Sequence, residues 1–521
     1  MKIHQYIFAM VTGVLVCFSF PAIFFGWQVP NLGWLGWIAL VPLLVAIHQV
    51  NWRQAFILTF ISALVWYAGS LYWVYNALHN YGGLSSLTSV LVTILMIVVL
   101  AAYIAVVPLL AKWIDASFHI EPIVILPVLW VAVEYSRNYF PFNGFPWANL
   151  AMSQYHYLTV LQIVDLVGIS GLIFGLVLVN TFLAELFLKI RGEDVKKIIQ
   201  KTAVVIILIG VIFGYGWYRL KTLPAQLQAK DNIKVGLIQG NISQADKWKE
   251  AKAEDILNIY GQGARELNKG NLDLIVWPEA AFPGILEEDI YYLHPSRLGT
   301  QNKTESFPYT LLGAVSQTKS GANANSAFLF DAQGVSNGLY HKTHLVPFGE
   351  YVPLEKILFF AGKLTEQVGD FIEGQSFKPL SFNNWKVGIL ICYEDIFPEI
   401  SRKTVQEGAQ FLANITNDAW YDISSAAHQH LALSVFRAVE TRRYLLRSTN
   451  TGVSAVIDPL GRIMNQTSLF VPTLVVSTIL PLNYISTYVD LGDWFAWGCV
   501  AYGLVMILMA IFWRVRKYRQ S

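Results

Sequence analysis

The sequence predicts two kinds of structure in one chain: a body of membrane-spanning α-helices and one mixed α/β domain. Three observations carry this reading. The 521 residues are 55% hydrophobic and only 14% charged, where a soluble chain carries about 25% charged residues. Long apolar runs fill the chain up to about residue 220 and return near its end. Between them, alternating strand and helix patterns occupy an ordinary polar background. The predicted domains are residues 1–220, 221–485 and 486–521. A net charge of +2 gives no footprint for a nucleic-acid partner. The 17 Trp and 25 Tyr suit a protein with many membrane–water boundaries, where amphipathic rings settle.

A spanning helix needs about 20 mostly apolar residues. Runs of this kind lie near 7–26, 33–49, 55–78, 86–111, 122–138, 158–188, 202–220 and 492–512, which predicts eight helices. The first run lacks a small-residue cleavage site before Gly26-Trp27 and is read as an uncleaved helix. Lys and Arg set the orientation. With Lys2 inside, the inner loops carry Arg53, Lys112, Lys189, Arg191, Lys196, Lys197 and Lys201, and the tail carries Arg514, Arg516, Lys517 and Arg519. The opposite loops hold Arg137 as the exception. Both termini are therefore expected in the cytoplasm and the 221–485 domain on the outer side.

In that domain, strand-like runs fall at 233–239, 272–277, 310–314, 327–330, 387–392, 410–415, 452–457 and 474–479. Helical patterns lie between them, as at 250–267 and 428–443. Such alternation predicts sheet layers covered by helices. Cys17, Cys392 and Cys499 are an odd number with no close pair, so neither a disulfide nor a cysteine metal site is expected. Cys17 and Cys499 read as small core hydrophobes.

Three ionisable groups stand out, and two of them, Cys392 and Glu279, end apolar runs. Cys392 follows Val-Gly-Ile-Leu-Ile at 387–391, presenting a thiol where a strand terminates; α/β proteins build sites there. A thiol becomes a strong nucleophile when a base takes its proton. Glu279 follows Leu-Ile-Val-Trp-Pro at 274–278, where apolar surroundings suit a carboxylate to general-base work. Lys342 stands in Tyr-His-Lys-Thr-His-Leu-Val-Pro-Phe-Gly-Glu at 340–350; a fixed ammonium stabilises an oxyanion. Glu350 orients that lysine or holds a loop. Taken singly, each also reads as a packed cysteine, a solvated glutamate or a surface lysine.

In this order and with these flanks, the three groups resemble the Glu-Lys-Cys triad of the carbon–nitrogen hydrolase, or nitrilase, superfamily. Further segments match: Asn414 to Trp420, His428-Gln-His430, Arg437 to Glu440, and Arg447 to Gly452. A nitrilase-like domain between seven N-terminal helices and one C-terminal helix resembles the apolipoprotein N-acyltransferase family, over essentially the whole chain. The resemblance implies an αββα sandwich on an eight-helix transmembrane body in the bacterial inner membrane, with the catalytic domain periplasmic. It implies transfer of an acyl chain from a phospholipid, typically phosphatidylethanolamine, to the N-terminal diacylglyceryl-cysteine of a lipoprotein. Cys392 is then the nucleophile, Glu279 the base, Lys342 the oxyanion stabiliser and Glu350 a supporting carboxylate. The backbone N–H of Tyr393 offers a second oxyanion donor, and Trp248 resembles a family tryptophan near the site. No cofactor or metal is implied, and the family suggests a monomer.

The segment Leu354 to Leu364 reads as an interfacial element guarding the entrance or as a helix packed on its own domain. Glu134, Asp165 and Glu185 lie within or beside apolar spans, where a carboxylate suggests function by default; placed near helix ends or paired between helices, they read instead as structural. His428 and His430 read as packing and hydrogen-bonding groups. Two rivals remain at this point: a membrane-bound amidase or nitrilase acting on a small amide, and a polytopic transporter with an external binding domain. Eight helices exceed what a tether needs, and a binding module has no need of the triad.

Overall fold

The computed structural model describes residues 2–24, 26–189, 195–300, 307–351 and 371–520. The expected element at 354–364 lies outside the described residues. The chain divides into two compact units: residues 1–74, 87–221 and 491–521, and residues 75–86 with 222–490.

Among the described residues, five helices are long and apolar enough to cross a membrane: Trp52–Leu71, Ser86–Phe118, Val164–Leu188, Lys196–Gln226 and Trp494–Arg519. Shorter apolar helices occupy Ile3–Ser19, Gly33–Ile47 and Pro122–Ser136. Their ends follow local chemistry. The Asn51 side chain accepts from the Gln54 N–H at 3.0 Å and starts one helix, and Pro122 opens another where its missing N–H costs nothing. Val204, Ile206, Ile207, Leu504 and Leu508 are exposed, apolar surface of the kind lipid covers.

The apolar runs are less uniform than the sequence suggests. The run 33–49 is a 3-10 turn, Gly33–Trp37, followed by Val41–Ile47. The run 158–188 breaks into Leu158–Leu161 and a helix from Val164, kinked at Gly168, whose φ of 64° only glycine takes readily. Hydropathy reports apolarity but is blind to such breaks. The three carboxylates in the spans are all paired: Glu134 with Arg137 at 3.1 Å, Asp165 with Arg219 at 2.8 Å and Glu185 with Lys201 at 2.7 Å. Arg137, the exception to the charge asymmetry, is thus held as half of a buried pair.

The second unit holds two sheets. One has the order Thr473–Ile479, Ile233–Gln239, Leu274–Val276, Tyr309–Gln317, Asn323–Phe330, Ser336–His341, with Ile285–Glu287 also on Tyr309–Gln317. The other runs Ile463–Gln466, Ala455–Ile457, Leu445–Thr449, Phe411–Thr416, Trp385–Ile391, Leu380–Phe382. The central pairs are parallel in both sheets. The Ser448 hydroxyl in one sheet donates to the Val276 carbonyl in the other at 3.1 Å, which joins the layers. The amphipathic helix Ala253–Asn268 lays Ile256, Leu257, Tyr260, Ala264 and Leu267 against Ile238, Ile275, Trp277 and Phe328. Ser425–Thr441, capped by Ser424, is buried on nearly every side.

Candidate active site

Parallel strands carry their loops to one edge, and sites in such sheets form at the carboxyl ends. Glu279 follows Leu274–Val276, Cys392 follows Trp385–Ile391, Asn417 follows Phe411–Thr416, and Lys247 lies beyond Ile233–Gln239. The antiparallel strand Ser336–His341 delivers Lys342 to the same place, its N–H bonded to the Asn325 carbonyl at 2.8 Å. These residues line one open cleft, with about 850 Å³ of empty space including its mouth. Trp248, Glu350, Trp420 and Tyr421 also line it, as does Ala77 from the segment 75–86.

Cys392 sits where the strand turns into a short 3-10 helix, Cys392–Ile396. Its φ is 53°, a conformation that costs a side-chain-bearing residue about 1–2 kcal/mol. The Asn414 side chain holds the Cys392 carbonyl at 3.2 Å. The residue is 6% exposed. Burial, then the charge of Glu279, push its pKa well above the ordinary thiol range, while Lys342 pulls the other way. At rest the group is a thiol, so its reaction needs a base close by.

Glu279 is fixed by Asn325, whose amide donates to Oε1 at 2.8 Å. Its other oxygen, Oε2, is buried with no hydrogen-bond partner among the described residues, so one lone-pair face is open to a proton. The loop lies hard against Gly313, where a Cβ would stand 2.7 Å from the Glu279 Cα. Lys342 is fully buried. Its ammonium is 2.9 Å from Glu350 Oε2 and 3.8 Å from Glu279 Oε1. Burial disfavours that charge, but Glu350, Glu279 and Cys392 outweigh it and hold the pKa above the ordinary lysine value. Glu350 is itself locked, accepting from Asn325 at 2.8 Å and from the Val346 N–H at 2.8 Å. Asn325 therefore bridges the two carboxylates on either side of the lysine.

The structure brings five of the six sequence-predicted residues to the cleft: Glu279, Lys342, Cys392, Glu350 and Trp248. The sixth, Tyr393, turns its ring into packing against Phe397 and His344. Sequence reasoning missed Lys247 and Asn325. Lys247 hides in a polar stretch, one residue before Trp248. Asn325 lies mid-strand and carries no local signal. Glu394, inside the Cys-Tyr-Glu motif, accepts from the Thr343 N–H at 2.6 Å, the Tyr340 hydroxyl at 3.0 Å and the Ile391 N–H at 2.6 Å. It ties the cysteine turn to the lysine loop, and burial pushes its pKa up. Behind the cysteine, His430 bonds Asp395 at 2.7 Å and Asp418 at 3.0 Å, and Arg447 spans both carboxylates at 3.1 and 2.9 Å. Both ring nitrogens of His430 are therefore engaged, as expected of a hydrogen-bonding group.

The segment 75–86 reaches this domain through Asp422, which accepts from the Tyr81 hydroxyl at 2.7 Å and the Asn80 amide at 2.5 Å. The Asn76 amide donates to the Tyr421 carbonyl at 3.2 Å. These bonds fix the cleft wall formed by Trp420 and Tyr421.

Known proteins resemble the chain along both parts. The carbon-nitrogen hydrolase family matches residues 234–488, and the apolipoprotein N-acyltransferase N-terminal domain matches residues 12–182. The apolipoprotein N-acyltransferase of Geobacter metallireducens is 38% identical over 516 residues, 97% of this chain and 95% of that protein. That of Haemophilus influenzae is 31% identical over 502 residues, 94% and 92% of the two chains. Among solved structures, Saccharomyces cerevisiae Nit3, of the nitrilase superfamily, has 18% identity and a TM-score of 0.36 over 48% of this chain and 90% of its own. With relatives of this identity matched over nearly their full length, the chain belongs to the apolipoprotein N-acyltransferase family, membrane enzymes whose catalytic part is a carbon–nitrogen hydrolase domain.

Proposed function

We propose that the enzyme works by covalent acyl transfer through Cys392, with a membrane phospholipid, phosphatidylethanolamine above all, as donor. The acceptor is the α-amino group of the N-terminal diacylglyceryl-cysteine of a lipoprotein. The observation that carries this reading is the gathering of Glu279, Lys342 and Cys392, distant in sequence, around one cleft.

In the first half-reaction Glu279 Oε2 takes the Cys392 proton, and the sulfur attacks the ester carbonyl. A carbon–sulfur bond forms, and the oxyanion meets the Lys342 ammonium and the Tyr393 N–H. Collapse breaks the carbon–oxygen bond. Glu279 returns its proton to the leaving oxygen, a lysophospholipid departs and a thioester remains. In the second half the acceptor nitrogen attacks the thioester and gives a proton to Glu279. The carbon–sulfur bond breaks, and the proton goes back to sulfur. Glu350 and Asn325 hold the lysine and the base apart; Trp248 packs on substrate at the cleft wall. This is ping-pong catalysis.

The same reading places an αββα sandwich on an eight-helix body in the bacterial inner membrane, as a monomer, with the catalytic domain periplasmic and both termini cytoplasmic. The two facing sheets, the apolar helices and the Lys/Arg asymmetry support it. Intact-mass analysis after incubation with phospholipid tests the central step. One acyl chain should be added, should be released by hydroxylamine, and should fail to appear in Cys392→Ala. An enzyme that transfers acyl chains to a lipopeptide amine at the parental rate without Cys392 would refute it.

A further inference from the structure

The triad accounts for one lysine of the cleft and leaves a second. Lys247 is 6% exposed, and its ammonium makes one hydrogen bond among the described residues, to the Glu279 carbonyl at 2.9 Å. An ammonium has three donors. A buried cation left this incompletely bonded is costly, and this one lines the cleft that holds Cys392. Its place is set by the chain. The Asp246 carboxylate accepts from the Ser243 hydroxyl at 2.9 Å and pairs with Lys249 at 2.8 Å, so the turn's acid is spent on its exposed side, away from Lys247.

The ionisable groups around the cleft include two carboxylates, Glu279 and Glu350, and two ammoniums, Lys342 and Lys247. Glu350 neutralises Lys342 directly at 2.9 Å. Among the described residues the Lys247 ammonium donates to one backbone carbonyl and has no carboxylate within ion-pair distance, meeting Glu279 only through space, so its charge remains available to an incoming anion. A phospholipid brings one: a phosphodiester separated from its ester carbonyl by a few covalent bonds. We propose that Lys247 is a specificity-determining residue that binds the donor's phosphodiester while the ester lies at Cys392. This assignment rests on the donor proposed above. The lysine binds the phosphate, common to all glycerophospholipids, and ignores the head-group alcohol. Burial lowers its pKa to about 8, against the opposing pull of Glu279 and Cys392, so at neutral pH it is largely charged, with little to spare.

The test uses the full-length enzyme in detergent micelles and follows acyl-enzyme formation by intact mass. Three donors share the same acyl chains: phosphatidylethanolamine, phosphatidylglycerol and diacylglycerol. A charge-assisted hydrogen bond corresponds to about ten- to hundredfold in rate. Lys247→Met should lose that factor on both phospholipids relative to diacylglycerol. Lys247→Arg should keep most of the preference. The ratio between donors is internal to each sample, so a smaller folded fraction leaves it unchanged. An equal loss on all three donors overturns the assignment and makes Lys247 an anchor of the Glu279 loop. A loss confined to phosphatidylethanolamine also overturns it. Absence of acyl-enzyme from every donor in the parent enzyme would overturn the proposed function, and this assignment with it.

Discussion

Glu350→Gln separates a supporting role from a decorative one. The carboxylate receives four contacts: Lys342 on both oxygens, at 3.0 and 2.9 Å, the Asn325 amide at 2.8 Å and the Val346 N–H at 2.8 Å. All lie inside the domain, with Lys342 fully buried. Removing one partner of a buried ion pair costs about 3–5 kcal/mol. Glutamine keeps one oxygen acceptor for these donors, so the lower end, about 3 kcal/mol, is expected. The nearest remaining anion for Lys342 is Glu279, already 3.8 Å away. The ammonium should shift toward it, compete for the base and leave the oxyanion position. If the whole loss falls on the transition state, about 3 kcal/mol is more than a hundredfold in rate. The assay is the time course of acyl-enzyme formation by intact mass, with thermal unfolding run in parallel. Acyl-enzyme formed within threefold of the parental rate would show that the Lys342–Glu350 pair does not prepare the site. Replacing Lys342 by Met in the same background should add far less than it does alone, because residues in one network are not additive.

Other consequences follow from the same geometry. Gly313→Ala should slow acyl-enzyme formation about a hundredfold and lower the melting temperature as well, since a Cβ 2.7 Å from the Glu279 Cα and against the backbone on either side must displace the base loop; a parental rate of acyl-enzyme formation by intact mass would contradict this. The preference for phospholipid over diacylglycerol should hold below pH about 8 and fade as pH rises through it, as Lys247 loses its proton beside Glu279 and Cys392; a flat ratio from pH 6 to 10 would contradict this. His430→Gln should destabilise by about 3 kcal/mol or more. Burial and Arg447 oppose the His430 charge, but Asp395 and Asp418 outweigh them and raise its pKa above the ordinary 6.5. Its contribution is therefore full below pH 6.5 and declines as pH rises past it, so the gap in melting temperature between parent and variant should narrow toward alkaline pH. Asp422→Ala removes the bonds to Tyr81 and Asn80 and should raise KM for the donor more than it lowers kcat, measured with increasing phospholipid in mixed micelles.

The two-part plan was legible in the order of the amino acids. Apolar runs of spanning length and the period of the strands are local properties, and residues 233–239 form a strand as read. Glu279, Lys342 and Cys392 were legible as candidates as well, because Glu279 and Cys392 each end an apolar run with one chemically capable side chain, and the flanks of all three match a family pattern. Tertiary structure decided the rest. Gly168 kinks a run that hydropathy reads as continuous. Asn325, ordinary within its strand, becomes the bridge between two carboxylates only when strand 323–330 crosses the end of the Glu279 loop. Lys247 reads as one more polar residue until folding takes it from water and sets its ammonium on the Glu279 carbonyl at the cleft. Residues 75–86, between two apolar spans, join the α/β unit through Trp420, Tyr421 and Asp422, more than 300 positions away. The division has one physical cause. Hydrophobicity and backbone preference act between near neighbours in the chain, whereas desolvation and charge pairing depend on what surrounds a group in space.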